Sequence, residues 1–150
     1  MSVLLSRRSQ SKAEFINTAY KLYAATINFL TRLSARYSRV MAAHISQLAG
    51  EVQAHTEKAN AIYPSDAQRK QMRKTHLLEA RASLMALDAA LTMAYTVLSD
   101  NPQGAFTDSR GKTLQPAVAN KRLERLADTL GNLIDQENRL LKGALEALKK

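Results

Sequence analysis

Apolar residues recur at spacings of three and four along most of this 150-residue chain, and this period constrains the fold more than any other feature. Such spacing lines up apolar side chains on one face of an α-helix. Proline and glycine, which interrupt helices, number only three and five. Alternating β-branched residues, the pattern of a half-buried strand, do not occur. The sequence therefore predicts an all-α protein.

The apolar stripes divide the chain into four predicted helices. Capping boxes precede the first and third, formed by Ser11 with Glu14 and by Ser65 with Gln68. Pro64 ends the second helix, because the residue before a proline avoids the helical conformation. The length of 150 residues favours a single domain, 1–150. Four stripes with short first and second connections favour the fold of an up-down-up-down four-helix bundle. The predicted helices cover about 12–34, 39–62, 66–98 and a final stretch from between 116 and 121 to the C-terminus.

Three stretches lie outside the helical pattern. Residues 1–10 are predicted to form a flexible N-terminus, and residues 34–39 (SARYSR) a tight connection between the first two helices. The long connection 100–116, between the third and fourth helices, holds two of the three prolines and two of the five glycines. Loops of this length in compact proteins are either functional or disordered, and we favour disorder.

The charge of the chain indicates a polyanionic partner. Lysine and arginine number 22 against 13 acidic residues, which gives a net charge of +9 and a pI near 10. Residues 1–50 hold seven of the cations and one acid, a balance of +6. Such an excess is the electrostatic footprint of a nucleic-acid-binding surface, whereas solubility alone is the simpler alternative.

The densest group of cations opens the third predicted helix. Arg69, Lys70, Arg73 and Lys74 lie in its first turns, where the helix dipole is already positive and acids are favoured. RNA phosphates or an acidic protein partner would supply the missing negative charge. The structural alternative is that the side chains bury their stems and extend their charged ends into water. In a helical hairpin that turns at residue 64, we expect His55 opposite Arg73.

One carboxylate interrupts the fourth apolar stripe. Glu137 lies between Leu133 and Leu140, where the stripe faces the interior. A buried carboxylate has to be paired, hydrogen-bonded or protonated. We expect a structural link to Tyr23 or Arg73, and the alternative is that this stripe faces a neighbouring subunit.

Several classes of function find no support in the sequence. The lack of cysteine removes disulfides and thiolate metal sites, and it fits a cytoplasmic protein. We expect neither a secretory leader nor a membrane span, since no apolar run is long enough. Because the three histidines have no ligand spacing and no nucleophile or phosphate-loop motif occurs, we predict no enzyme, cofactor or metal. Without tryptophan or an RNA-recognition motif, nucleic-acid contacts should be mainly to phosphates.

Five segments carry a resemblance to a known family. They are RRSQSKAEFINTAYKLYAATI (7–27), ARYSRV (35–40), LAGEVQAHTEKANAIYP (48–64), QMRKTHLLEARASLMAL (71–87) and ENRLLKGALEA (137–147). In these segments the chain resembles the accessory variability determinant (Avd) proteins, which are encoded beside the reverse transcriptases of diversity-generating retroelements. That family is related in fold to four-helix proteins encoded in 23S rRNA intervening sequences.

The resemblance implies a non-catalytic subunit that assembles as a homopentamer. Such a subunit binds a reverse transcriptase and RNA, or DNA or an RNA/DNA hybrid, through basic surfaces. The alternative is a stand-alone structural or rRNA-associated four-helix bundle with non-specific polyanion binding. The residues predicted to form the nucleic-acid or partner surface are Arg7, Arg8, Lys12, Arg32, Arg36, Arg39, Arg69, Lys70, Arg73, Lys74 and Arg81.

Overall fold

The computed structural model describes residues 13–108 and 110–150, and it confirms an all-α protein. Four of the helices in the described residues are long, and one has a single turn. Helices α1 and α3 each contact both α2 and α5. The helices are α1 (Glu14–Arg32), α2 (Ala35–Ala61), α3 (Ala67–Ser99), the short α4 (Pro102–Ala105) and α5 (Pro116–Ala147).

The first connection is shorter than predicted. Helix α2 begins at Ala35 with Ser34 as its N-cap, so residues 34–39 are mainly the first helical turn. The prediction of a connection over these residues is wrong, and Leu33 and Ser34 alone join α1 to α2. The backbone N–H of Ser34 donates to the carbonyl of Ala105 at 2.9 Å, which fixes this corner.

The second connection ends α2 where the sequence predicts. Helix α2 stops at Ala61, shortly before Pro64. The predicted capping box at Ser65 is wrong, because Asp66 is the N-cap of α3. Its Oδ1 accepts the backbone N–H of Arg69 at 2.8 Å. The other predicted capping box begins at a residue outside the described part of the chain, and α1 itself has Ala13 as its N-cap.

The core lies between the inner faces of the four long helices. In α5 the buried stripe is displaced by one position, since Ile134 and Leu141 are buried in place of Leu133 and Leu140. Adjacent pairs of apolar residues leave the centre of a stripe ambiguous at 100° per residue, which explains the displacement. In α3 the apolar stripe that predicts the third helix faces the core, with Ala80, Leu84, Leu87, Leu91, Ala94 and Leu98 all buried.

The segment between α3 and α5 is packed against the helices, so the prediction of disorder is wrong for its described residues. Ala105 and Phe106 are fully buried. Phe106 forms an isolated antiparallel bridge with Leu33, and Ser34 Oγ donates to the carbonyl of Gly104 at 2.8 Å. One large aromatic residue thus anchors a segment whose prolines and glycines are typical of a loop.

Helix α3 is apolar on its outer face as well as on its core face. Leu78, Met85 and Met93 are exposed by 45%, 40% and 70%, and the exposed Ala82 and Ala89 lie between them. At 100° per residue these five positions fall opposite the buried stripe. By length and composition α3 can cross a membrane, with a mean hydropathy of 1.4 over its most apolar window. The expectation that no segment meets this criterion is therefore wrong.

Candidate nucleic-acid interface

Cationic side chains gather at two ends of the structure. The turn end comprises the start of α1, the turn between α2 and α3, the start of α3 and the end of α5, and Phe15, Arg73 and Ala144 line one groove there. The opposite end, called the hairpin end after the corner where α1 meets α2, comprises the end of α1, the starts of α2 and α5, and the segment around α4. Arg32 and Arg122 line a groove at the hairpin end.

At the turn end, Arg69 is neutralised within its own helix. Its guanidinium Nη1 forms a salt bridge with Oδ2 of Asp66, the N-cap residue. The hydrogen bond that Asp66 accepts from the backbone N–H of Arg69 lowers the pKa of Asp66. Desolvation opposes this change, and the guanidinium of Arg69 adds to it. An acid at the N-cap also complements the positive end of the helix dipole. Asp66 of the protein itself therefore supplies part of the negative charge that balances the cations at the start of α3.

Arg73 binds the carboxyl end of the preceding helix. Its Nη1 donates to the carbonyls of Ala59 at 3.0 Å and Ile62 at 3.1 Å, at the end of α2. The Ala59 carbonyl also accepts the backbone N–H of Ile62, the C-cap residue. The guanidinium carbon lies 5.9 Å from the ring centre of Phe15. Burial lowers the pKa of Arg73, although an arginine stays charged at neutral pH. The expected position opposite His55 is wrong, since Arg73 lies nearer the turn.

Lys70 and Lys74 remain as the cations of this cluster that face solvent. They lie one helical turn apart, Lys74 exposed and Lys70 half-buried, and neither forms a salt bridge within the described residues. Farther along α3, Arg81 donates from Nε to Oδ1 of Asn138 at 3.1 Å and so links α3 to α5. Of the predicted α3 cations, only this lysine pair keeps its charge free of a protein partner.

At the hairpin end, a groove between α1 and α5 is lined largely by cations. Arg32 comes from the last turn of α1, where its Nε donates to Oδ1 of Asn28 at 3.2 Å. The guanidinium of Arg122 lies 6.0 Å from the ring centre of the buried Phe106. The α5 cations were missed by sequence reasoning, and their signal is the KRLER stretch near the helix start. The lining comprises Arg32, Val118, Lys121, Arg122, Arg125 and Leu126.

Two predicted cations extend this positive surface onto α2. Arg36 and Arg39 are exposed near the start of α2. The first turns of α2 and α5 contain no acid, so the positive ends of both helix dipoles add to the field. In the described part of the chain, the lysine and arginine salt bridges are those of Arg69 and Lys149, and both lie at the turn end. No described lysine or arginine of the hairpin end forms a salt bridge with another described residue.

Three predicted site residues, Arg7, Arg8 and Lys12, lie outside the described residues. The remaining eight divide between the ends and middle of the structure, so they do not form one continuous surface. Arg32, Arg36 and Arg39 lie at the hairpin end, whereas the α3 residues lie at or near the turn end.

Glu137 is buried without a partner. Its side chain has no exposed surface, and neither carboxylate oxygen accepts a hydrogen bond in the described structure. The predicted link to Tyr23 or Arg73 is therefore wrong. Desolvation by burial raises the pKa of Glu137 to about 8, so the carboxyl is mostly protonated at neutral pH. Glu137 is therefore accommodated in the interior by protonation, and not by a salt bridge or a hydrogen bond.

Comparison with known proteins adds no family to these observations. No protein-family model matches the chain, and neither does any curated protein or solved structure. The relation to Avd proteins stays a prediction from the sequence. Charge, exposure and packing are therefore the observations that bear on function.

Proposed function

We propose that the protein is a non-catalytic, nucleic-acid-binding accessory subunit, an up-down-up-down four-helix bundle that binds phosphates at its hairpin end. The groove lined by Arg32, Lys121, Arg122 and Arg125 is the observation that carries this proposal. These cations have no acidic partner among the described residues, so their charge is available to a ligand. A groove of this kind suits a phosphate backbone and is indifferent to base sequence.

The resemblance to Avd proteins supplies the proposed partners. They are the reverse transcriptase of a diversity-generating retroelement and its template RNA, or DNA or an RNA/DNA hybrid, in the cytoplasm. In this role the subunit has no reaction of its own and holds polymerase and template together. Electrostatic contacts would also speed the encounter with a polyanion.

Assembly into a homo-oligomer belongs to the same proposal. The outer face of α3 exposes Leu78, Met85 and Met93, and covering apolar surface is favourable by roughly 25 cal/mol per Å². We propose a second copy of the chain as the occupant. A membrane is disfavoured because Arg73 and Arg81 of the same helix bind protein groups of α2 and α5. The number five comes from the resemblance alone, and a ring would repeat the basic ends around its axis.

Fluorescence anisotropy with a structured RNA at several salt concentrations tests the nucleic-acid function. Each phosphate neutralised contributes a slope of about −0.7 to −0.9 in log affinity against log salt. The four groove cations therefore predict a slope near −3 for each copy of the chain. Absence of binding at low salt would contradict the proposal.

A matched pair of double variants locates the binding surface. Lys121→Ala with Arg125→Ala removes two charges from the groove. Lys142→Ala with Lys150→Ala removes two exposed charges toward the turn end, one in α5 and one just after it. We expect the groove variant to lose about tenfold or more in affinity and the control to lose much less. Equal losses would mean that binding follows net charge alone.

A further inference from the structure

Packing of α2 on α3 brings together two histidines and a carboxylate. His55 comes from α2, and His76 and Glu79 lie one turn apart on α3. His55 Nδ1 lies 3.1 Å from Glu79 Oε2, and His76 Nδ1 lies 3.9 Å from the same oxygen. The two imidazole rings stack with centres 5.8 Å apart and planes inclined by 27°. Three potential ligand atoms, one from each residue, thus lie within 4.8 Å of one another.

These separations suit a single metal ion. Zinc binds histidine nitrogen and carboxylate oxygen at about 2.0–2.2 Å, so two tetrahedral ligand atoms lie about 3.3 Å apart. The observed 3.1 Å and 3.9 Å fall on either side of that value.

The burial of the ring nitrogens supports a ligand at this position. The Nδ1 atoms of His55 and His76 are buried. Within the described residues His76 Nδ1 makes no hydrogen bond, whereas His55 Nδ1 lies 3.1 Å from the Glu79 carboxylate. A buried polar atom without a hydrogen bond costs free energy, and a metal ion would satisfy both nitrogens at once. Glu79 is half exposed, which leaves a path from solvent and room for a water molecule as fourth ligand.

We propose that His55, His76 and Glu79 form a binding site for one Zn²⁺ ion per chain. Two imidazoles and one carboxylate are a ligand set that zinc accepts, with the fourth position open to water. Because the ligands come from two helices, the ion would cross-link α2 to α3. The site does not depend on the proposed nucleic-acid function. Sequence spacing did not reveal it, because the set forms only when the two helices pack.

Isothermal titration of metal-free full-length protein with zinc chloride tests the site. We expect one zinc per chain for the natural sequence and for the control His44→Gln, which changes an exposed histidine on the same helix as His55. We expect His55→Gln and His76→Gln to bind at least about 10- to 100-fold more weakly, the loss that even an outer-shell change causes. Cobalt(II) gives a second readout, since tetrahedral coordination produces strong visible absorption.

Thermal unfolding with and without zinc separates a built site from surface binding. Zinc that binds the folded protein should raise the Tm of the natural sequence and of His44→Gln, but not that of His55→Gln. If His55→Gln does not fold by circular dichroism, Glu79→Gln, at a half-exposed position, serves as the test variant. The proposal is wrong if the natural chain takes up no zinc, or if the ligand variants bind as tightly as the control.

Discussion

The turn end and the hairpin end both carry several cations, but only the turn end neutralises its own. There Arg69 pairs with Asp66, and Arg73 binds the carbonyls at the end of α2. At the hairpin end, Arg32 and Arg122 line a groove without a salt bridge among the described residues. A dense run of cations in a sequence is therefore a poor measure of the charge that a protein presents to a partner.

The first turns of the helices explain the difference. At the turn end, α1 has Glu14 in its first turn, and Asp66 caps α3. At the hairpin end, the first turns of α2 and α5 have no acid. Helix ends contribute about half a charge each, so an acid at the start of a helix cancels much of the local positive field. The hairpin end keeps that field and adds the groove cations to it.

The largest expected effect comes from removing the aromatic anchor of the hairpin end. Phe106→Ala should destabilise the protein by about 4 kcal/mol, because a fully buried ring is removed from between α1 and α5. Urea unfolding measures the change, and hydrogen exchange at Leu33 and Ser34 should rise with it. Val118→Ala at the same end is the control, since that side chain is half exposed. Similar destabilisation in both variants would contradict the anchoring role of Phe106.

Glu137 should give the next largest effect, and the effect depends on pH. Because the folded-state pKa is raised to about 8, between pH 4.5 and 8 the folded protein holds a proton that the unfolded chain has released. Stability contributed by this group is thus complete below about pH 4.5 and is lost as the pH rises toward 8. Glu137→Gln removes the titration, so its stability relative to the natural chain should increase by about 3 kcal/mol from pH 5 to pH 8.

Urea unfolding at several pH values measures that difference. Any fixed cost of placing an amide at position 137 cancels when the same two proteins are compared across pH. A difference that stays constant with pH would contradict the protonated state of Glu137. The two acids then differ in opposite directions: burial raises the pKa of Glu137, whereas the hydrogen bonds that Asp66 accepts from Arg69 lower the pKa of Asp66.

Arg73 and Lys74 form an adjacent pair that separates structural cations from available ones. Arg73→Met keeps much of the aliphatic stem but removes the hydrogen bonds to Ala59 and Ile62, so we expect a loss of about 2 kcal/mol. Lys74→Met changes an exposed side chain and should stay within about 0.5 kcal/mol. Chemical denaturation of both variants measures this, and equal stabilities would mean that Arg73 does not cap α2.

The parts of the fold that could be predicted are those that a pattern of neighbouring residues specifies. The core face of α3 was predicted because Leu84, Leu87 and Leu91 recur at spacings of three and four, and all three are buried. In α5 the adjacent pair of Leu133 and Ile134 left the centre of the stripe open by one position. Phe106 was missed because a lone aromatic residue among turn residues gives no period, although it anchors the whole segment.

The candidate site was less predictable than the fold, because its residues converge only in three dimensions. Arg32 and Arg122 line one groove although they are far apart in the sequence, so no local sequence pattern predicts the groove. Conversely, the cations at the start of α3 are conspicuous in the sequence, but one of them, Arg73, donates its hydrogen bonds to the end of α2. Burial of Glu137 was predicted from its stripe, whereas its lack of a partner depended on exact side-chain directions.

The smallest expected effect compares solvent-facing cation pairs at the two ends. Arg36→Gln with Arg39→Gln changes the start of α2, and Lys70→Gln with Lys74→Gln changes the start of α3, with the same loss of two charges. Both pairs lie in the first turns of a helix, but only α3 has an acidic N-cap to reduce the local positive field. RNA affinity, measured by fluorescence anisotropy, should therefore fall about threefold to tenfold for the α2 pair and less for the α3 pair. The slope of log affinity against log salt should become less steep by about 1 for each phosphate that the variant no longer neutralises. A larger decrease for the α3 pair would move the binding surface to the turn end, where Lys70 and Lys74 would then bind most of the phosphates.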